Sequence, residues 1–260
     1  MTAGLSALAV IAQRDVTKLL RDRPRLAVSL AFPVLLIGGL GGTLQATVGR
    51  VTGLDAVALA FTGVLAATLF QSTAAGMISI VEDRETDFSR ELFVAPVRRL
   101  TLLVGKMAGE TLVALVQGAF IVVFAVAFGV RLAPGQVALL AWAGLACCLL
   151  GSTFGLVTIA VLGSQRSATQ VFQFLIIPQY VLGGVLVPLH GVSPLLSAIS
   201  RLMPLRYPVG LARAAFYAGR PGYAVAVTGS AAVDAAVSGG LFLLFLVAGV
   251  ALFSYRERNR

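Results

Sequence analysis

The chain has 260 residues, of which 58% are hydrophobic and only 12% charged, with a mean hydropathy of +0.94. Soluble domains carry about 25% charged residues, so a soluble globular fold is excluded and an all-α polytopic membrane protein is expected. The net charge of +9 does not mark a nucleic-acid partner, because the basic residues flank apolar runs instead of clustering with aromatics on a soluble face; membrane lipid headgroups are their expected partner.

In chain order, the first feature is an amphipathic stretch over 4–22. Leu5, Leu8, Ala9, Ala12, Val16, Leu19 and Leu20 recur at helical spacing, with Gln13, Arg14, Thr17, Lys18, Arg21 and Asp22 on the other face. That pattern predicts an N-terminal amphipathic interfacial helix, retained and not cleaved, since no small-residue cleavage site follows it. A membrane span needs about 20 apolar residues, and six runs qualify: Leu26–Leu44, Ala56–Val81, Met107–Val130, Val137–Leu162, Val171–Leu189 and Ala235–Tyr255. Pro178, Gly183, Gly184 and Pro188 interrupt the fifth, which predicts a broken or re-entrant fifth helix. Residues 189–234, punctuated by Pro and Gly, read as an outer cap, and residues 1–260 as a single transmembrane domain.

Fourteen Lys and Arg residues fall on the side of the termini and six, Arg50, Arg131, Arg201, Arg206, Arg213 and Arg220, on the other. The basic excess places both termini in the cytoplasm. Cys147 and Cys148 are neighbours inside the fourth run, where buried hydrophobe is the expected role and a disulfide is not.

Several chemistries are excluded by what is missing. A P-loop needs Gly-Lys-Ser/Thr with a second Gly five residues before the first, but Lys106 of the Gly105-Lys106 pair precedes Met107 and has Leu100 at the distal position. The single histidine, His190, and two adjacent cysteines do not make a metal site or a catalytic triad. The chain is not expected to be an enzyme by itself, nor to hold a cofactor. An ion relay needs ionisable residues inside the spans; the candidates, Glu110 and Asp234, are expected near span ends, within reach of headgroup water.

The most informative segment is Val81–Lys106, which carries ten charged side chains between two long apolar runs. Each Asp, Lys or Arg would cost about 2.5–3.5 kcal/mol at mid-bilayer, so the segment belongs in water or against a partner. Val81, Phe88 and Leu92 share one helical face, and Pro96 stops the helix. By composition alone this is equally a solvated loop that enforces topology.

The run Asp83, Arg84, Glu85, Phe88, Arg90, Glu91, Leu92, Val94, Ala95, Pro96, Val97, Arg99, Gly105 and Lys106 resembles the cytoplasmic loop of type-2 ABC transporter permeases, in the daunorubicin and multidrug efflux branch. Pro188-Leu189 and Met203-Pro204-Leu205-Arg206-Tyr207-Pro208-Val209 resemble that family's segment before the last span, with Met203 and Arg206 departing from the usual Asn and Thr. The resemblance implies a cytoplasmic coupling helix between spans 2 and 3, over 82–100. Glu82, Arg84, Glu85, Phe88, Arg90, Glu91, Leu92, Pro96 and Arg99 would contact a separate ATP-binding subunit, which binds the ATP and Mg. It further implies export across a bacterial inner membrane by a dimer with a second permease copy or paralogue. Gly38 with Gly42, Gly105 with Gly109 and Gly151 with Gly155 offer close-packing faces.

The phenylalanines of the spans, Phe61, Phe70, Phe120, Phe124, Phe128, Phe172 and Phe174, suit a hydrophobic or amphipathic substrate, drug or lipid-like, although packing is the ordinary role of each. An ion-coupled secondary transporter and a structural membrane subunit are the alternatives.

Overall fold

The computed structural model describes residues 23–46, 55–80 and 99–258, with Thr17 and Arg21 ahead of them. The described residues are helical with short turns and contain no strand. Apart from Thr17 and Arg21, the expected interfacial helix over 4–22 lies outside them.

Helix α1 (Arg23–Leu35) passes through a π-helical stretch, Leu36–Leu40, into α2 (Gly41–Leu44). Helix α3 spans Ala56–Ile78, α4 Arg99–Ala127, α5 Pro134–Leu162 and α6 Gln165–Leu182. The short α7 (Pro194–Arg201), α8 (Arg206–Tyr217) and α9 (Tyr223–Ala226) precede the long α10 (Ala231–Arg258). Among the described residues, four stretches are long and apolar enough to cross a membrane: Ala56–Ile78, Leu103–Ala127, Pro134–Leu162 and Tyr223–Tyr255.

The first and fifth expected spans fall short of that standard for identifiable reasons. Ser29–Leu44 is apolar and helical but short. Helix α6 begins earlier than expected and ends at Leu182, not Leu189, and Gln165, Arg166, Gln170, Gln173 and Gln179 make its 18 residues comparatively polar. Pro178 sits inside α6 without ending it. The end comes at Gly183, followed by Gly184 at φ +70°, a left-handed conformation that costs glycine little.

Helix boundaries follow local chemistry. Asp55 caps α3 by accepting from the Val57 and Ala58 amides at 3.0 and 3.3 Å, satisfying donors that the first turn leaves unpaired. Pro134 stands at the start of α5, where its missing amide hydrogen costs nothing. Gly163 closes α5 in the left-handed region, and Ser164 caps α6 through the Ser167 amide at 3.2 Å. Helix α4 starts at Arg99 rather than Met107, and α10 at Ala231 rather than Ala235, because a helix can carry polar residues past the edge of an apolar run.

Helix α3 is the centre of the molecule. It is largely apolar and buried on nearly every side, as a helix at the centre of a bundle is. It packs on α4, α5, α6 and α8. Gly151 and Gly155 of α5 allow the closest approach: a β-carbon would lie 2.3 Å from the carbonyl oxygens of Phe70 and Ala74, respectively. That expected small-residue face therefore packs within the chain. Phe154 of α5 joins four helices, its ring lying 5.5 Å from Phe70 on α3, 6.2 Å from Phe172 on α6 and 5.8 Å from Phe245 on α10. Cys147 and Cys148 are buried and free. By contrast Trp142, Phe174, Leu243, Leu244 and Val247 face outward, where lipid is the natural solvent for them.

Candidate functional site

Of the residues expected to contact an ATP-binding subunit, Glu82, Arg84, Glu85, Phe88, Arg90, Glu91, Leu92 and Pro96 lie outside the described residues. Arg99 opens α4. The two helices that flank this segment are described, and they are joined. Lys106 Nζ lies 2.7 Å from Glu110 Oε1, one turn along α4, and both side chains are 9% exposed. The Glu110 carboxylate rests where Gly76 of α3 lacks a side chain: a β-carbon there would fall 1.9 Å from Glu110 Oε2. Glu110 was expected to reach headgroup water, but it is buried against α3 and paired. Burial of a lone carboxylate is costly, and a cation one turn away offsets that cost.

Above this junction α1, α3 and α4 enclose a cleft of about 320 Å³, lined by Ser29, Phe32, Pro33, Thr68, Gln71, Ser72, Ala75 and Gln117. Its edges are fixed by long-range contacts. Gln117 Nε2 donates to Ser29 Oγ at 3.4 Å, and Tyr180 of α6 donates its hydroxyl to Gln71 Oε1 at 3.3 Å. The Tyr180 ring meets Phe32 edge-on at 6.2 Å. Polar side chains from three helices thus gather here, and none of the described residues lining the cleft is charged.

The break after α6 is held from three sides. Val185 O lies against Gly63 of α3, where a β-carbon would come within 1.8 Å of it. Arg213 of α8, 3% exposed, donates through Nη2 to Gly184 O at 2.5 Å and to Val185 O at 3.0 Å. Burial lowers the Arg213 pKa to about 10, which leaves the guanidinium charged at neutral pH. From α6 itself, Gln179 Oε1 accepts from the Leu205 amide at 3.2 Å. Ser200 of α7 donates to Leu182 O at 2.6 Å and accepts from Arg206 Nη1 at 2.5 Å. The carbonyls freed where α6 stops are therefore satisfied by side chains, as buried backbone requires.

Asp234, at the start of α10, is buried beside α8: a β-carbon on Gly210 would lie 2.1 Å from Asp234 Oδ2. His190 Nε2 lies 2.8 Å from Val225 O. Among the described residues, no three His, Cys, Asp or Glu side chains gather to hold a metal ion.

Residues 6–217 match the ABC-2 type transporter family. This chain belongs to that family. It is also 26% identical over 209 residues to a protein of Cyanophora paradoxa described as "Putative transport permease ycf38", an alignment covering 79% of this chain and 72% of the relative. An ABC-2 membership accounts for the four helices among the described residues that are long and apolar enough to cross a membrane, and makes the chain a transporter permease, a transport subunit rather than an enzyme.

Within this ABC-2 permease, the sequence points to the charged segment and to the glycines that end α6, but not to the Glu110–Gly76 contact between the helices flanking that segment or to the partners of the carbonyls after α6. Arg213 stands in the sequence as an outer positive charge at the end of the family-like segment, with no sign that it serves the Gly184 and Val185 carbonyls, and Gln71, Gln117 and Tyr180 carry no local signal of their pairing. The available signal was polar residues at i, i+3 and i+4 on α3, Thr68, Gln71 and Ser72, within a span otherwise free of such a stripe on that face.

Proposed function

We propose that this chain is the membrane-spanning permease subunit of an ATP-binding-cassette exporter of the daunorubicin and multidrug branch, moving a hydrophobic or amphipathic substrate across a bacterial cytoplasmic membrane. The carrying observation is the family match over residues 6–217, which takes in the whole charged segment from Val81 to Lys106. Members of this family generally work with an ATP-binding subunit. Six spans, with α1 and α6 as the first and fifth, both termini cytoplasmic and two permeases side by side complete the arrangement.

In this reading the ATP-binding subunits close on ATP and Mg and press on residues 82–100, where Glu85 and Glu91 make polar contacts and Phe88 and Leu92 fill an apolar groove. The push passes into α3 and α4 together, because Glu110 on α4 is seated on Gly76 of α3. Helix α3 packs on most of the bundle, so its displacement moves the rest, in the manner of rigid-body switching between two packed states.

The test is a mild-detergent pull-down of the tagged chain from its native membrane, followed by ATPase assay and by export measured in inverted vesicles. The expected result is recovery of a P-loop ATPase, with association and export lost on joint replacement of Glu85, Phe88 and Glu91 by Ala. A chain recovered alone, with transport that needs Glu110 and no ATP, would overturn the reading in favour of an ion-coupled carrier.

A further inference from the structure

We propose that the cleft between α1, α3 and α4 is a binding site for an uncharged hydrogen-bonding headgroup on an amphipathic molecule, with the apolar part of that molecule lying along the outward face of α1. The inference rests on the permease reading and assigns a site and ligand class to it.

The walls supply donors and acceptors that the protein itself leaves unused. Thr68 Oγ1, Gln71 Nε2, Ser72 Oγ and Gln117 Oε1 make no hydrogen bond among the described residues, although each belongs to a residue lining the cleft. Hydroxyls within apolar helices ordinarily bond back to the preceding turn, and their neighbours do so here. Thr62 donates to Leu59 O at 2.9 Å, and Thr73 to Leu69 O at 3.0 Å. Thr68 and Ser72, between those two on the same helix, do not. An unpaired polar group in hydrocarbon is expensive, so this cluster needs an occupant that can both donate and accept.

Charge and size define that occupant. None of the described residues that line the cleft is charged, and desolvating an ionised headgroup with no countercharge costs far more than desolvating an amide or hydroxyl. A volume of about 320 Å³ is at the lower end of small-molecule sites, enough for a headgroup but not for a whole amphiphile. Phe32, half of it exposed, forms one wall, and Leu35 lies exposed one turn further along α1. An alkyl or ring portion can follow that apolar strip out of the cleft. Gln71 stands seven residues before Ile78, about 10 Å along the helix axis, so the site lies toward the Lys106–Glu110 end of the bundle rather than at its middle.

The experiment uses the full chain in lipid nanodiscs without ATP. Three photoactivatable alkyl probes share one chain length and differ in headgroup, one a hydroxylated amide, one a carboxylate and one a quaternary ammonium, and labelled peptides are mapped by mass spectrometry. The neutral probe should label residues around Ser29–Pro33 and Thr68–Ala75 in preference to both charged probes. Replacing Gln71 and Gln117 together by Leu should lower that labelling about tenfold, as two lost hydrogen bonds predict. Gln173→Leu, at an exposed position on α6 outside the cleft, should leave it unchanged.

Should the double variant not elute as a folded species, Gln71→Asn and Ser72→Ala carry the same comparison. Equal labelling by the charged probes, or full labelling of the cleft variants, overturns the proposal. Headgroup-selective labelling of a chain that recovers no ATPase partner would instead overturn the ATP-driven exporter reading and leave the site standing.

Discussion

Gly76 of α3 is the seat of Glu110 of α4, since a β-carbon on Gly76 would lie 1.9 Å from Glu110 Oε2 and 2.6 Å from its Cγ. The contact draws a carboxylate inside the bundle, where Lys106 meets it at 2.7 Å. Gly76→Ala must displace Glu110 and stretch that pair. Breaking a buried pair typically costs about 3–5 kcal/mol, and a displaced pair should lose part of this. The discriminating measurement is a double-mutant cycle by thermal unfolding in detergent. Gly76→Ala should be strongly destabilising in the parent and close to neutral beside Glu110→Ala, giving a coupling energy above about 1 kcal/mol; additive effects would show that the two residues do not share the space.

Arg213 provides the second prediction. Its removal as Arg213→Met leaves the buried carbonyls of Gly184 and Val185 without the guanidinium that now serves both. An unsatisfied buried group costs about 1–3 kcal/mol, so the variant should melt well below the parent. Arg213→Lys keeps a charge and one donor direction but cannot reproduce a planar fork, and should fall between the two. Equal melting of the Met and Lys variants would show that volume, not hydrogen bonding, holds the turn.

How much of this was legible beforehand divides along the range of the signal. The apolar runs at Ala56, Met107, Val137 and Ala235 announce spanning helices through local composition, and Gly183-Gly184 announces the end of α6 through backbone freedom. The partners of that break are not local. Arg213 lies 28 and 29 residues from the carbonyls it serves, and Tyr180 lies 109 residues from Gln71, so neither pairing leaves a periodic trace. Glu110 misled for a related reason: its distance along α4 suggested headgroup water, whereas the side chain turns toward a glycine on another helix.

Gly63 sharpens the same point into a third prediction. Its added β-carbon would fall 1.8 Å from Val185 O and 2.7 Å from Val185 C, and backbone cannot swing aside as a side chain can. Gly63→Ala should therefore reduce the yield of folded protein more than Gly76→Ala does. Gly239, two turns into α10 with nothing near its β-position among the described residues, is the control. Gly239→Ala should be neutral or stabilising by up to about 1 kcal/mol, the helix-propensity difference. Fluorescence-detected size exclusion of the three variants reads the order directly.

Arg220 supplies the last prediction, because it clamps the turn before α5 to the end of α8. It donates to Arg131 O and to Gln136 Oε1, and its guanidinium stacks 4.2 Å from the centre of the Phe216 ring. Gln136 in turn donates to Phe216 O at 2.9 Å and accepts from the Ala133 amide at 3.0 Å. Members of such a network act together, so Arg220→Ala and Gln136→Ala should each destabilise by about 1–2 kcal/mol and the pair by clearly less than the sum. Arg220→Lys keeps the charge but loses the stacked plane, and should recover only part of the loss. If Lys restores full stability, charge alone holds α8 against α5 and the ring contact is incidental.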